Sequence, residues 1–445
     1  MSTSIGQHFT PWSLLKFAFP SIIMMMFMSL YTIVDGIFVS RFIGSNALSS
    51  LNIVYPVDSV VIAMGTMLAT GGNAVISRYL GEDKKQLAKE CLSLFVVTGF
   101  LLSILVTMLA LLFPDFISRA LGANDLLLAD CHTYLTVLMA FAPACMLQTL
   151  FQSYLVTAGA PHLALFLTMI AGVINAVMDY VLIVWFDLGI GGAALATGLG
   201  QIIPALAGMI FFLNKKHELH LARFTMHTKE LIQACYNGSS EMVTQLSNAV
   251  VTFLFNVILM RLAGPHGVAA ITILLYGQFL FQAFYLGFAI GISPVVGYQY
   301  GAGNRKELKS IYRISFLFAS ISSVFMAAAA VFLSTGIVTI FTNDLETYKL
   351  AVTGFGIFAF SFLFSGFNIT SSGFFTALSN GKVSAIISFC RTLFFTVIAL
   401  LVLPQFFGVN GAWMAVPVAE FVTLLLSVGM HRKYFFTEGR QNYFL

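Results

Sequence analysis

Asp35 and Asp179 lie deep inside long apolar runs, where a carboxylate needs a reason to exist. An ionisable side chain at the centre of a membrane helix costs about 2.5–3.5 kcal/mol on insertion scales. Asp35 stands six residues before Arg41, roughly 9 Å along a helix that rises about 1.5 Å per residue. Asp179 stands eight residues before Asp187, roughly 12 Å along its own helix. Tyr31 precedes Asp35 by four residues and Asn175 precedes Asp179 by four, so each shares a helix face with its carboxylate. Thr197 falls at a comparable depth below the Gly191-Gly192 pair. Two carboxylates, an amide and two hydroxyls at one level form a small oxygen-lined site. Two desolvated carboxylates of like charge favour taking up a proton. Oxygen ligands from Asp35, Asn175, Asp179 and Thr197 suit Na⁺ equally well. The plainer alternative is a polar cluster that ties three helices together, for which two carboxylates are an expensive device.

Other intramembrane polar groups carry weaker signals. Glu420, Gln278, Gln282 and Asn368 are candidates for substrate contact or a second coupling site. Pro20 removes a helix hydrogen bond and marks a position where the first helix can bend. Glu241 is expected near a membrane boundary, Asp58 at a wetted position, and Arg391 snorkelling to an interface. The five cysteines are scattered and read as free thiols. No GxxxxGK[ST] loop is present, and Gly301-Ala-Gly303 follows no strand, so neither an ATPase nor a dinucleotide site is indicated. His217-Glu-Leu-His220 lacks metalloprotease spacing and reads as a solvated loop. The chain is therefore expected to be no enzyme and to need no cofactor beyond a coupling ion, H⁺ or Na⁺.

The elements that hold these residues follow from composition. Hydrophobic residues make up 59% of the 445 and charged ones 9%, with a mean hydropathy of +0.92, too little charge to cover a water-facing surface. Apolar spans are expected near 13–39, 51–78, 91–113, 132–157, 163–186 and 192–213, then 235–261, 268–299, 310–340, 350–378, 383–404 and 411–431. Residues 1–213 would form one half, 214–230 a charged connector and 231–445 the other half. Loops on one side carry Arg78, Lys84, Lys85, Lys89, Lys215, Lys216, Arg223, Lys229, Arg305, Lys306, Lys309 and Arg313. Lys16, Lys382, Arg432, Lys433 and Arg440 join that side, against Arg41, Arg119, Arg261 and Lys349 on the other. The positive-inside rule then puts both termini in the cytoplasm. The net charge of +4 lies in these loops and signals no nucleic acid.

The chain repeats at a spacing of about 220 residues, the count of one half. Arg41-Phe-Ile-Gly44 returns as Arg261-Leu-Ala-Gly264, and Arg78-Tyr-Leu-Gly81 as Tyr298-Gln-Tyr-Gly301. Gly189-Ile-Gly-Gly-Ala-Ala-Leu-Ala196 returns as Gly408-Val-Asn-Gly-Ala-Trp-Met-Ala415. Six spans per repeat give the halves one orientation, with an axis along the membrane normal and a cavity between them. The chemistry is not repeated: Phe255 with Asn256 stands where Asp35 would, and Ile398-Ala399 where Asp179 would.

The run from Pro20 to Gly44, with Tyr31 and Asp35, resembles the first helix of multidrug and toxic compound extrusion (MATE) transporters. Gly72-Asn-Ala-Val-Ile-Ser-Arg78 and Ile292-Ser-Pro-Val-Val-Gly-Tyr-Gln-Tyr-Gly-Ala-Gly-Asn304 look like that family's second- and eighth-helix signatures. The resemblance leans to the DinF-like branch and its MepA-type members. It implies an all-α membrane protein of twelve transmembrane helices in two pseudo-symmetric six-helix lobes around a V-shaped central cavity. It also implies a cation site at Asp35, Asn175, Asp179 and Thr197, with Tyr31 nearby, and export of organic cations against H⁺ or Na⁺. The NorM-like branch adds an acid in the tenth helix, where this chain has Asn368. The expected partners are membrane lipid and small cationic substrates, and the expected state is a monomer in a bacterial or archaeal inner membrane. The rival expectation is a lipid-linked oligosaccharide flippase of the same superfamily.

Overall fold

The computed structural model describes residues 5–38, 42–43, 45–342, 344–437 and 442–444. Arg41, Gly44 and Arg440, used above as landmarks, lie outside the described residues. Within them every regular element is helical, as lipid demands of a chain that must satisfy each backbone group internally. The first helices are α1 (Pro11–Phe38), α2 (Ser45–Gly81) and α3 (Lys85–Leu112). α4 is a bent span, Leu128–Ala140 and Ala142–Thr157 meeting at 49°, with Pro143 in the first turn after the break. α5 (Pro161–Trp185) and α6 (Gly189–Leu213) complete the first half.

The second half contains two long helices that each hide two spans. Thr228–Gly301 runs for 74 residues but breaks at Gly264, where φ is +63° and Pro265 follows. Gly381–Phe436 runs for 56 residues and breaks at Gly408, where φ is +56°. Only glycine adopts such backbone freely. The breaks yield α7 (228–263), α8 (265–301), α11 (381–407) and α12 (409–436), around α9 (Arg305–Phe341) and α10 (Leu345–Ala377). Twelve spans result among the described residues. Asn304, Asp344 and Asn380 cap α9, α10 and α11 by accepting from Glu307, Thr347 and Val383 backbone N–H groups, the side-chain chemistry that starts a helix.

The internal repeat is visible in backbone geometry. Gly189 and Gly408, paired by the repeat, both have positive φ, at +54° and +56°. Three residues further, Gly192 backs onto the Leu182 carbonyl and Gly411 onto that of Leu403. At the face with the Lys/Arg-rich loops, here the basic face, the repeats meet reciprocally. A Cβ on Gly81 would strike the Tyr298 carbonyl, and one on Gly301 the Arg78 carbonyl. The same pairing continues inward: Gly71 lies against Ala234, Gly238 against Met67 and Gly297 against Ser77. α2 and the α7–α8 pair thus touch backbone to backbone from mid-helix to the basic face. Among the described residues, no such glycine contact joins the halves nearer the opposite face.

α1 belongs to both halves. Near Pro20 it rides on α8, where Gly287 and Gly291 admit the Ile22 and Ala18 backbones. Further along, Gly172 of α5 receives Phe27 and Tyr31. One hydrophobic core spans the first half and the basic side of the second, from Phe95 and Phe151 to Phe288 and Phe374. Another, around Phe255, Phe355 and Trp413, fills the rest of the second half. The connector is not a free loop: Lys85 pairs with Glu218 at 2.9 Å and His227 with Glu90 at 2.8 Å. His217 stacks on Phe211 with centroids 3.9 Å apart, and Leu219 is buried. The His-containing segment is therefore docked, where a solvated loop was expected, because its apolar residues find a surface.

Candidate functional site

Asp35 of α1 and Asp179 of α5 face one another, with Asn175 beside Asp35. They interact without forming a well-aligned hydrogen bond. Both oxygens of Asp179 and Oδ1 of Asp35 are buried with no partner among the described residues. Asp179 is 1% exposed and Asn175 5%, whereas Asp35 is half-buried. A six-residue π turn, Tyr180–Trp185, begins directly after Asp179, a distortion common at working sites in helices. Tyr31 lies within electrostatic range of Asp35. Thr197 donates to the Ala193 carbonyl of its own helix at 3.1 Å. It lies one turn from Gly200, whose Cα position would place a Cβ 3.2 Å from Asn175, so α6 brings it toward the carboxylate level. Orphaned carboxylate oxygens beside an amide fit a proton or a small cation taken on as cargo. No cluster of three His, Cys, Asp or Glu side chains with metal-ligand geometry occurs among the described residues.

The second half holds a different arrangement. Arg391 Nη1 meets Glu420 Oε1 at 3.2 Å. Asn368 Nδ2 donates to Glu420 Oε2 at 2.8 Å and to its carbonyl at 2.9 Å. Ser427 in turn donates to Asn368 Oδ1 at 3.0 Å. Arg391 is 7% and Glu420 2% exposed, so the arginine does not snorkel to an interface. A π turn, Cys390–Phe394, carries it and directs it inward. Glu241 faces Arg391 from α7, one turn from the Gly238–Met67 contact. Gln278 and Gln282 are half-buried on one face of α8, and no hydrogen bond joins them to this network among the described residues. Phe255, the repeat counterpart of Asp35, is buried against Phe358.

A family model described as MatE matches residues 20–181 and 242–401. The chain belongs to the MATE family. Its two matched blocks start 222 residues apart, in keeping with the repeat. The Multidrug export protein MepA of Staphylococcus saprophyticus is 24% identical over 412 residues, covering 91% of this chain and 90% of that one. MepA of Staphylococcus aureus is 23% identical over 421 residues, covering 94% and 92%. A MATE transporter of the MOP superfamily in an outward-facing conformation shares the fold with a TM-score of 0.90 at 22% identity, covering 96% of both chains. A MOP superfamily transporter from Pyrococcus furiosus superposes with a TM-score of 0.89 at 22% identity and the same coverage. The protein is thus a multi-pass membrane transporter with the two-lobed MATE fold, and not an enzyme.

Within that fold the second-helix signature is a packing device. Thr157 donates to Asn73 Oδ1 at 2.6 Å and Ser77 to the Asn73 carbonyl at 2.7 Å, while Gly72 makes room for Tyr154 and Phe95. Sequence reasoning missed a set of tyrosines around the first-lobe carboxylates. Tyr134 of α4 lies within electrostatic range of Asp35, Asp58 and Asp179. Tyr276 of α8 lies within range of Tyr55 and Asp35. Tyr55 stands three residues before Asp58, a same-face spacing that offered a local signal. Tyr134 comes from another helix and offered none.

Proposed function

We propose that this MATE protein is a multidrug exporter that moves organic cations outward in antiport with H⁺ or Na⁺. The observation that carries the reading is the opposed, orphaned pair Asp35 and Asp179 inside the first lobe. The names of the staphylococcal relatives support the same substrate class. Asp35, Asn175, Asp179 and Thr197 would hold the ion, with Tyr31 beside them. One H⁺ or Na⁺ cancels one of the two negative charges, and the pair, now sharing a single charge, no longer resists being drawn together. Moving Asp35 moves α1, which lacks a hydrogen bond at Pro20 and can bend there. Because α1 packs on both α5 and α8, that bend reaches both lobes. Structural neighbours solved in straight and bent conformations are in keeping with such a step. One charge crossing 100 mV is worth about 2.3 kcal/mol, enough for one or two ions to sustain a sizeable drug gradient.

The basic face is then cytoplasmic, with both termini there, and the lobes are 1–213 and 231–445 joined by 214–230. The protein works as a monomer in the inner membrane, in contact with lipid. A lipid-linked pyrophosphate is a poor substrate for this cavity, since Arg391 is already neutralised by Glu420 and faces a second acid in Glu241. The deciding experiment is ethidium export from proteoliposomes under a pH gradient or a Na⁺ gradient, with Asp35→Asn in parallel. One gradient should drive export in the wild type and neither in the variant. Export by Asp35→Asn at the wild-type rate would sink the reading.

A further inference from the structure

We propose that Asp58 anchors the positive charge of an aromatic organic cation, at a site separate from Asp35 and Asp179 but joined to them through Tyr31 and Tyr134. The inference rests on the antiport reading above and assigns its substrate subsite. Two contacts fix how α2 and α4 lie together. Cys131 Sγ meets the Ser50 carbonyl at 3.9 Å, and a Cβ on Gly65 would stand 3.3 Å from Met146 and Thr149. Ser50 with Cys131 and Gly65 with Met146 share one offset, so the helices run parallel in a single register. In that register Asp58 is level with Met139, a little over one turn from Tyr134.

Tyr134 is 7% exposed, and its hydroxyl has no hydrogen-bond partner among the described residues. It lies within electrostatic range of three carboxylates. Tyr31 is within range of both Asp35 and Asp58. Tyr55, 52% exposed, stands beside Asp58 on α2, and Cys145 of α4 completes the neighbours. Asp58 is half-buried and makes no ion pair or hydrogen bond among the described residues. A carboxylate withdrawn from water without a counter-ion is costly until a cation arrives. With Tyr31, Tyr55 and Tyr134 near it, it suits a quaternary ammonium or phosphonium bearing aromatic rings. Asp179, at 1% exposure, suits a small ion instead. Tyr134 has a single O–H to donate. A cation on Asp58 leaves that hydroxyl to turn to Asp35 or Asp179, and an ion there leaves it to turn to Asp58. The two cargoes thereby sense each other without sharing a carboxylate.

The test is equilibrium binding of tetraphenylphosphonium, a permanent cation with no proton to give, to the full-length protein in lipid nanodiscs. Tryptophan fluorescence on adding H⁺ or Na⁺ is read in the same samples. Trp185 is a suitable reporter, since it lies in the π turn after Asp179 with its ring 6.1 Å from that of Tyr180. Asp58→Asn should weaken tetraphenylphosphonium binding by about tenfold or more and keep the ion response. Asp58→Glu should stay within about threefold of the wild type, showing that the charge and not the fold was lost. Asp35→Asn should do the reverse of Asp58→Asn: binding kept, ion response gone. Unchanged binding in Asp58→Asn overturns the inference, as does an equal loss in Asp35→Asn and Asp58→Asn. Either result leaves the antiport reading standing, whereas a wild type that binds no tetraphenylphosphonium overturns both.

Discussion

Each acid buried in this membrane protein is governed by what faces it. Asp179 faces another carboxylate, Asp58 faces tyrosines, and Glu420 faces a guanidinium and an amide. Removing one partner of a buried ion pair leaves the other charge stranded, at a cost of about 3–5 kcal/mol, whereas replacing both by apolar groups is often neutral. Glu420→Ala should therefore lower the thermal unfolding midpoint of the purified protein sharply, and Arg391→Met with Glu420→Leu should recover most of it. If the double variant is as unstable as the single one, the pair contributes more than mutual neutralisation. If Glu420→Gln is stable but loses ion-driven export, Glu420 is a coupling group after all. That Tyr31 shares a helix face with Asp35 and Asn175 with Asp179 was legible in the sequence because four-residue spacing is local, whereas Asn175 lies beside Asp35, a contact between helices that the sequence did not announce. The Arg391–Glu420 pair was not, since it joins two helices and depends on a π turn that redirects the arginine.

Helices contribute through where they let one another approach. α1 is held on α8 at Gly287 and Gly291 and on α5 at Gly172. Gly287 would set a Cβ 2.5 Å from the Ile22 Cα and the Ser21 carbonyl, so a larger residue there must push α1 away beside Pro20. Gly287→Leu should cut ethidium export by about tenfold or more, equivalent to roughly 1.4 kcal/mol. The ion response of Trp185 should survive, because α1 still meets α5 at Gly172. Loss of that response together with export would mean that α1 moves as one rigid rod with no bend at Pro20. The twelve spans could be read from sequence because each requires some twenty apolar residues, and Gly264-Pro265 announced its own break. The 49° bend in α4 could not. Neither could the small-residue faces of α2, α7 and α8, whose glycines are seen to be contacts only when the partner backbone is in place.

The whole molecule, as it stands, is closed on the basic face by contact between its two repeats. Gly81 with Tyr298, Gly301 with Arg78, Gly71 with Ala234 and Gly238 with Met67 bring backbones together without side chains between them. Such an interface either fits or parts, because interiors at this density do not deform gradually. A transporter that loads from the basic side must part it in every cycle. Ser77 and Gly297 offer a place to forbid this, since a Cβ on Gly297 would stand 3.1 Å from that of Ser77, within a few tenths of the spacing in a disulfide. In a background lacking Cys91, Cys131, Cys145, Cys235 and Cys390, Ser77→Cys with Gly297→Cys should crosslink under mild oxidation. The crosslinked protein should still bind tetraphenylphosphonium, reached from the opposite face, yet export no ethidium, and reductant should restore export. Undiminished export with the disulfide intact would mean that substrate passes without the repeats separating, and the two-lobed rocking motion would have to be given up for a path within one lobe.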